Sequence, residues 1–146
     1  MPECQVPGAI GVDFNNRTAA DIIHNLNSFP YPFNDSSFNQ IYLDNAIEHL
    51  DDVMHVMEEV YRILKRGGIA KVIAPYFRSP RAYIDSTHRH FFTVSSFAYF
   101  DPDHIIWTLY DYSLARFRLD KVVFNEALRN HWIKKIVLSL ANRWPW

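Results

Sequence analysis

The chain has 146 residues, and its 15 Lys and Arg against 16 Asp and Glu give a net charge of -1. This length predicts one domain, residues 1–146, and the balanced charge gives no global positive field for a nucleic-acid backbone. The single cysteine, Cys4, excludes an intramolecular disulfide, and we expect a cytoplasmic protein without a secretory signal or a membrane-spanning helix.

Short apolar runs separated by turn residues predict three strands in the first part of the chain. The runs are AIGVDF at 9–14, DIIHNL at 21–26 and FNQIYL at 38–43. The third is rich in aromatic and β-branched residues, as strands are. Between the second and third runs, NSFPYPFNDSS at 27–37 carries prolines and turn residues that exclude a helix or a central strand.

The apolar period then changes from two to 3.6, which predicts an amphipathic helix. Its apolar face is made of Val53, Val56, Met57, Val60, Ile63 and Leu64. Asp51 and Asp52 suit the helix start, Lys65 and Arg66 suit the last turn, and Gly67 suits the left-handed stop. The run IAKVIAP at 69–75 follows as a buried strand. A strand, a helix and a strand form a right-handed βαβ unit, so the predicted fold class is α/β.

The second half of the chain has a weaker pattern. Residues 76–104 lack a clear period, and we expect them to form a loop region on the substrate side. Residues 105–124 are predicted to hold one or two strands, and residues 125–143 a terminal helix.

The predicted topology places polar residues at one edge of the sheet, because ligands of open parallel sheets bind at the carboxyl ends of the strands. Asp13 follows the first strand, Asn25 and Leu26 follow the second, and residues 44–49 follow the third. Asp13 can be a turn acid, but a carboxylate there also suits two adjacent ribose hydroxyls. An adenosine-containing cofactor is therefore a candidate ligand.

The sequence ADIIHNLNSFPYPFNDSSFNQIYLDNAIEHLDDVMHVMEEVYRILKRGGIAKVIAP resembles the middle of a class I S-adenosylmethionine-dependent methyltransferase. Its loop FPYPFNDSSF and the motifs EHLDD and RILKRGG carry the resemblance, which runs from Gly11 to Pro75. The resemblance implies a Rossmann-like, mostly parallel sheet flanked by helices. It also implies S-adenosylmethionine as cofactor and methyl transfer to an unidentified acceptor.

The resemblance also implies roles for the residues at the strand ends. In that family an acid at the position of Asp13 binds the cofactor ribose, and the positions of Asn25 and Leu26 meet the adenine edge. The segment after the next strand passes the methionine part of the cofactor. This assigns Asp44, Asn45 and His49 to cofactor binding, with Glu48 and His49 at the helix entrance.

The chain departs from the family at its beginning. Before GAIGVD there is only MPECQVP, which offers neither a strand nor the glycine-rich loop that approaches the cofactor. We therefore expect a domain that is incomplete relative to the seven-stranded methyltransferase fold. Because a missing central strand leaves sheet edges unpaired, we expect a homodimer that completes the sheet.

Residues 76–90 hold the candidates for acceptor binding and catalysis. Methyl transfer needs a general base only when the acceptor loses a proton, and His88, His90 or Asp85 suits that role. Binding of an acidic acceptor is assigned to the remaining polar residues, which are Tyr76, Arg78, Arg81 and Tyr83. The alternative is that all these residues make structural hydrogen bonds between loop and sheet.

Two other interpretations stay open. The methyltransferase interpretation includes no metal ion. The segment DSTHRH is nevertheless a minor candidate for a metal site, with Asp85, His88 and His90 as ligands. Two histidines that are two residues apart on an extended segment face the same way. The chain is alternatively a non-catalytic Rossmann-like interaction module that has lost cofactor binding. Its terminal helix would then dock on a partner or on a membrane surface. The residues for this contact would be Trp132, Trp144 and Trp146 with Lys134, Lys135 and Arg143.

Overall fold

The computed structural model describes residues 8–110 and 112–124 of the chain. The strands are β1 (Val12–Asp13), β2 (Ile22–Ile23), β3 (Phe38–Asp44) and β4 (Leu64–Ile73). The α-helices are α1 (Val53–Ile63), α2 (Arg81–Ile84) and α3 (Ile105–Tyr110), and single 3-10 turns lie at Ile47–His49 and Ala98–Phe100.

The strands pair in parallel, which confirms the predicted α/β class. β3 lies beside β4 with Ile41 opposite Ala70 and Leu43 opposite Val72, and α1 forms the crossover between them. β1 and β2 form a second parallel pair, with Val12 opposite Ile22. Within residues 8–110 and 112–124, no strand hydrogen-bonds the two pairs to each other.

Helix α1 begins as predicted. The Asp52 side chain caps it by accepting a hydrogen bond of 3.0 Å from the backbone N–H of His55. Its apolar face packs into the core, since Val56, Met57 and Val60 are all buried. The capping acid and the 3.6-residue period are local signals, and for this reason the sequence was sufficient to place the start of the helix.

The predicted end of α1 is wrong. The helix ends at Ile63, and Leu64 already pairs with Phe38 as the first residue of β4. Lys65 and Arg66 therefore lie in an irregular stretch of β4 and not in a last helical turn. The backbone carbonyls at the helix end are bound by N–H groups across the chain, for example that of Ile63 by Ser37 at 2.8 Å.

The glycines after α1 allow this irregular stretch to form. The β3–β4 register shifts between Phe38 and Gln40, and Gly67 has a φ of +78°, which favours glycine. Gly68 is in the tightest position, because a Cβ there would lie 2.8 Å from Leu64 Cγ and 2.9 Å from the carbonyl oxygen of Asn39. Glycine is thus required where β4 passes close to β3.

The core lies between α1, the β3–β4 pair and the segment after residue 91. The largest fully buried apolar side chains of the described residues are those of Ile47, Val56, Val60 and Phe100, each at most 1% exposed. Other buried members of the same cluster are Leu43, Leu50, Met57, Phe92 and Ala115. The 3-10 turn after β3 is therefore anchored in the core through Ile47, and this fixes the position of its neighbours.

The loop at 27–37 is held by one ion pair on α1. Arg62 donates from Nε to Glu59 Oε1 and from Nη2 to Glu59 Oε2, both at 2.7 Å, and it also binds the carbonyl oxygens of Tyr31 and Phe33. These hydrogen bonds from Arg62, with one from the N–H of Tyr31, lower the pKa of Glu59. Burial raises the pKa of the Tyr31 hydroxyl. The loop is thus ordered without regular secondary structure.

The prediction of strands in residues 105–124 is wrong for the described part. Residues 105–110 form α3, and residues 112–124 contain no strand. Their backbone is bound by the preceding loop, since Phe117 N–H donates to the carbonyl of Phe100 and Leu119 N–H to Asp101 Oδ2. The predicted helix at 125–143 lies outside the described residues. None of the helices in the described ranges combines the length and apolar character needed to cross a bilayer.

Candidate functional site

The predicted ribose-binding acid, Asp13, lies at the carboxyl end of β1. Its side chain is held by an Asx turn, in which Oδ1 accepts a hydrogen bond of 2.8 Å from the N–H of Asn15. The residue is half-buried. This turn fixes the carboxylate at the strand end and occupies only one of its two oxygens.

Asn25 and Leu26, which are predicted to contact the adenine, lie in different surroundings. Asn25 is exposed and binds the N–H of Asn27 through Oδ1 at 3.0 Å. Leu26 packs against the core, and its carbonyl accepts from the Tyr31 hydroxyl at 3.0 Å. Asn27 Oδ1 in turn accepts from the N–H of Asp51 at 2.8 Å. The loop after β2 is therefore docked on the entrance of α1.

Asp44 and Asn45 form the carboxyl end of β3, and both are exposed. Asn45 has a φ of +48°, a region that non-glycine residues adopt rarely, and its Nδ2 donates to Asp44 Oδ1 at 2.7 Å. Its N–H donates to the carbonyl of Ile73 at 2.9 Å, so the parallel ladder reaches this point. The hydrogen bond between the Asn45 and Asp44 side chains stabilises this strained backbone conformation. Strained residues of this kind are frequent at ligand sites.

The 3-10 turn after β3 carries an unusual buried acid. Glu48 is 1% exposed, and neither of its carboxylate oxygens has a hydrogen-bond partner among the described residues. The ring of His88 lies beside it, with Nε2 at 4.0 Å from Glu48 Oε1. The ring of His49 lies edge-on to the ring of His88, with centroids 4.7 Å apart. We call Glu48, His49 and His88 the Glu-His-His cluster.

Asp85 holds the cluster from outside through Thr87. The Thr87 hydroxyl lies 2.6 Å from Asp85 Oδ1 and 2.9 Å from His49 Nδ1, and the Thr87 N–H also donates to Asp85 Oδ1. These hydrogen bonds lower the pKa of Asp85, which is therefore a carboxylate at neutral pH. Asp85 thus positions Thr87 and, through it, the ring of His49.

The expectation that His88 and His90 face the same way is wrong. His88 Nδ1 binds the carbonyl of Ala82 at 3.0 Å, whereas His90 Nε2 binds the carbonyl of Leu50 at 2.8 Å. The reason is that the segment wraps around the turn after β3, since the N–H groups of Arg89 and His90 both donate to the carbonyl of Glu48. The structure brings His88 to Glu48 and His49 instead of to His90.

The four predicted acceptor-binding residues are spread over the segment at 76–84. The Tyr76 ring packs edge-on to Phe77, with centroids 4.9 Å apart, and so has a packing role. Arg78 and Arg81 are exposed. Tyr83 is 61% exposed and stacks on another exposed ring, that of Phe91, at 4.8 Å. The structure leaves the two arginines and Tyr83 accessible without joining them into one pocket.

The sequence interpretation placed Glu48 at the helix entrance but did not predict its burial, and it missed Thr87. A signal for Thr87 existed, because it lies beside His88 in the polar segment. A surface cleft of about 250 Å³ lies elsewhere, between residues 94–104 and 119–122. None of the predicted cofactor residues lines this cleft.

Together, the two parallel strand pairs and the α1 crossover are consistent with an incomplete Rossmann-like α/β fold that carries polar residues at its strand ends. Residues 10–72 match the family model described as a methyltransferase domain. This match confirms the resemblance of this part of the chain to class I methyltransferases. No match was found among the curated proteins or among the solved structures.

Proposed function

We propose that the chain is an S-adenosylmethionine-dependent methyltransferase, in which residues 1–146 act as a single domain. One observation carries the proposal: Asp13 lies at the carboxyl end of a parallel strand, within the residues 10–72 that match a methyltransferase domain. That is the edge where ligands of open parallel sheets bind. The Asx turn with Asn15 orients the carboxylate before any ligand arrives.

The residues around Asp13 fit an adenosine-containing ligand. The Asp13 carboxylate can accept from two ribose hydroxyls, and the exposed amide of Asn25 can hydrogen-bond a purine edge. Asp44 adds negative charge at the end of β3, where it suits a cationic ligand group. S-adenosylmethionine supplies an electrophilic methyl group on a sulfonium. Asp44 and Asn45 are held together by a hydrogen bond of 2.7 Å, so this part of the edge is pre-organised.

We place the methyl acceptor beside residues 76–104. The exposed guanidinium groups of Arg78 and Arg81 suit an acidic acceptor, and Tyr83 offers an accessible ring and hydroxyl. His88 and His90 each use one ring nitrogen to bind a backbone carbonyl, and the Asp85 carboxylate is engaged by Thr87. Their assignment as catalytic residues stays a prediction.

Calorimetric titration with S-adenosylhomocysteine tests the cofactor assignment. The key variant is Asp13→Asn, which keeps the oxygen that Asn15 binds but removes the charge. We expect micromolar binding by the unmodified chain. We expect the variant to bind more weakly by about 1.5 to 3 kcal/mol, the range for a hydrogen bond to a charged group. Asp103→Asn is the matched control, because Asp103 is an exposed aspartate in the loop before α3.

Each outcome has a defined meaning. Equal affinity of the Asp13 variant and the control would remove Asp13 from the site. No binding at millimolar ligand by a chain with a cooperative urea transition would refute the cofactor assignment and favour the interaction module. Light scattering on the same samples measures whether the binding species is the homodimer that we predict.

A further inference from the structure

Glu48 poses a physical problem that the methyltransferase assignment does not solve. A carboxylate that is 1% exposed with both oxygens unpaired is costly to bury, and buried charges in proteins are normally paired or coordinate metals. His88 Nε2, at 4.0 Å from Oε1, is too far for a hydrogen bond. The gap between these atoms is large enough for an ion to bind both.

The hydrogen bonds around the two histidines fix which nitrogen of each ring keeps a lone pair. The Ala82 carbonyl can only accept, so His88 Nδ1 carries a proton and Nε2 has its lone pair toward Glu48. The single proton of the Thr87 hydroxyl goes to the Asp85 carboxylate, and the hydroxyl oxygen therefore accepts from His49 Nδ1. His49 Nε2 then also has a free lone pair.

This pattern is the one that metal-binding histidines show in proteins, where the second ring nitrogen donates to a carbonyl or to a polar side chain. One donor atom from each residue of the Glu-His-His cluster lies within 4.8 Å of the other two. Donors of a tetrahedral zinc site are roughly 3.4 Å apart, given metal–ligand bonds of about 2.1 Å. Small side-chain rotations would bring the three donor atoms to the spacing of a zinc site.

We propose that Glu48, His49 and His88 bind one divalent transition-metal ion, with Zn²⁺ as the ion that two imidazoles and a carboxylate suit best. Three protein donors leave at least one coordination position for water or another oxygen ligand. The proposal shares His49 with the predicted cofactor residues, whereas Glu48 and His88 are not among them, so zinc binding and S-adenosylhomocysteine binding can be measured separately. It also differs from a site in DSTHRH alone, since His90 takes no part.

Zinc titration of the full chain, stripped of metal by chelator, tests the proposal by calorimetry. We expect one equivalent of Zn²⁺ to bind with micromolar or tighter affinity. Glu48→Gln and His88→Gln should each weaken binding at least about tenfold, and Thr87→Val should weaken it by about tenfold through loss of ring orientation. His90→Gln is the control and should bind within about twofold of the unmodified chain, because glutamine keeps a donor for the Leu50 carbonyl and His90 is no ligand.

Co²⁺ absorption gives a second measurement that reports the ligands directly. The unmodified chain should show visible bands of a low-coordinate site, and these bands should be lost in His88→Gln but kept in His90→Gln. Where Glu48→Gln does not fold, His49→Gln at a half-buried position takes its place in the titration. Absence of a stoichiometric site, equal zinc binding by the ligand variants, or loss of binding in His90→Gln would each overturn the proposal.

Discussion

The Glu59–Arg62 pair should be the main ion pair that holds the loop at 27–37 on α1. Arg62→Ala removes a bidentate contact to a carboxylate that is 9% exposed, together with hydrogen bonds to the carbonyls of Tyr31 and Phe33. The second charged partner of Arg62, Asp35, is 77% exposed and contributes little, because water screens exposed pairs.

The expected loss in the free energy of unfolding depends on the Glu59 carboxylate that the substitution leaves unpaired. Breaking a buried pair by removing one partner costs about 3 to 5 kcal/mol, since the other charge stays buried. The Arg62 side chain is 27% exposed, so water partly replaces it, and the lower end of that range, about 3 kcal/mol, applies. The ratio of folded to unfolded chain should therefore fall by roughly two orders of magnitude.

Urea denaturation followed by tryptophan fluorescence and circular dichroism measures this change in the free energy of unfolding. Arg66→Ala is the matched control, because Arg66 is exposed in the irregular part of β4, and it should change stability by at most about 0.5 kcal/mol. If Arg62→Ala does not fold, Arg62→Lys keeps the charge without the planar fork and should lose part of the stability. Equal costs for Arg62→Ala and Arg66→Ala would refute the reasoning.

Three further predictions concern the same framework. Because the folded pKa of Glu59 is lowered, its charge stabilises the fold above the usual value of 4.5, and this stability is lost as the pH falls through the folded pKa. As the pH is lowered from 7 into the acid range, the urea midpoint of Glu59→Gln should therefore fall less steeply than that of the unmodified chain. Parallel plots of midpoint against pH for the two proteins would contradict this. Gly68→Ala should cost about 1 to 3 kcal/mol by urea denaturation, since its Cβ would meet Leu64 Cγ at 2.8 Å, and an unchanged midpoint would show that β4 can shift. Asp52→Ala should cost about 1 kcal/mol in the same assay by removing the cap on the His55 N–H, whereas Asp52→Asn should cost less.

The sequence predicted α1 well at its start and poorly at its end, for a physical reason. The cap at Asp52 and the apolar period depend on neighbours within one or two turns. The end depends on Leu64 pairing with Phe38, which lies far away in the chain. Residues 105–110 were misassigned because a short apolar run such as IIWTLY fits a strand or a helix equally.

The candidate site also divides into features set by nearby residues and features set by residues far away in the chain. The topology rule for parallel sheets was sufficient to place Asp13 and Asp44 at strand ends. It could not reveal that Glu48 is buried, because the segment that covers it begins almost forty residues later, with His88 and the N–H groups of Arg89 and His90. Burial of a charge is a property of the folded chain, and no local pattern records it.

The connection of β3 to β4 through α1 has a consequence for local stability. Strands β3 and β4 have 7 and 10 residues and pack with α1 into the core, whereas β1 and β2 have only 2 residues each, and segments with few packed contacts open most readily. The amides of Leu43 and Val72 should therefore be among the slowest to exchange with deuterium, while those of the two-residue strands β1 and β2 exchange early. Of the strand ends proposed to bind the cofactor, the one at Asp44 would then be rigid, whereas the one at Asp13 would open on a faster timescale.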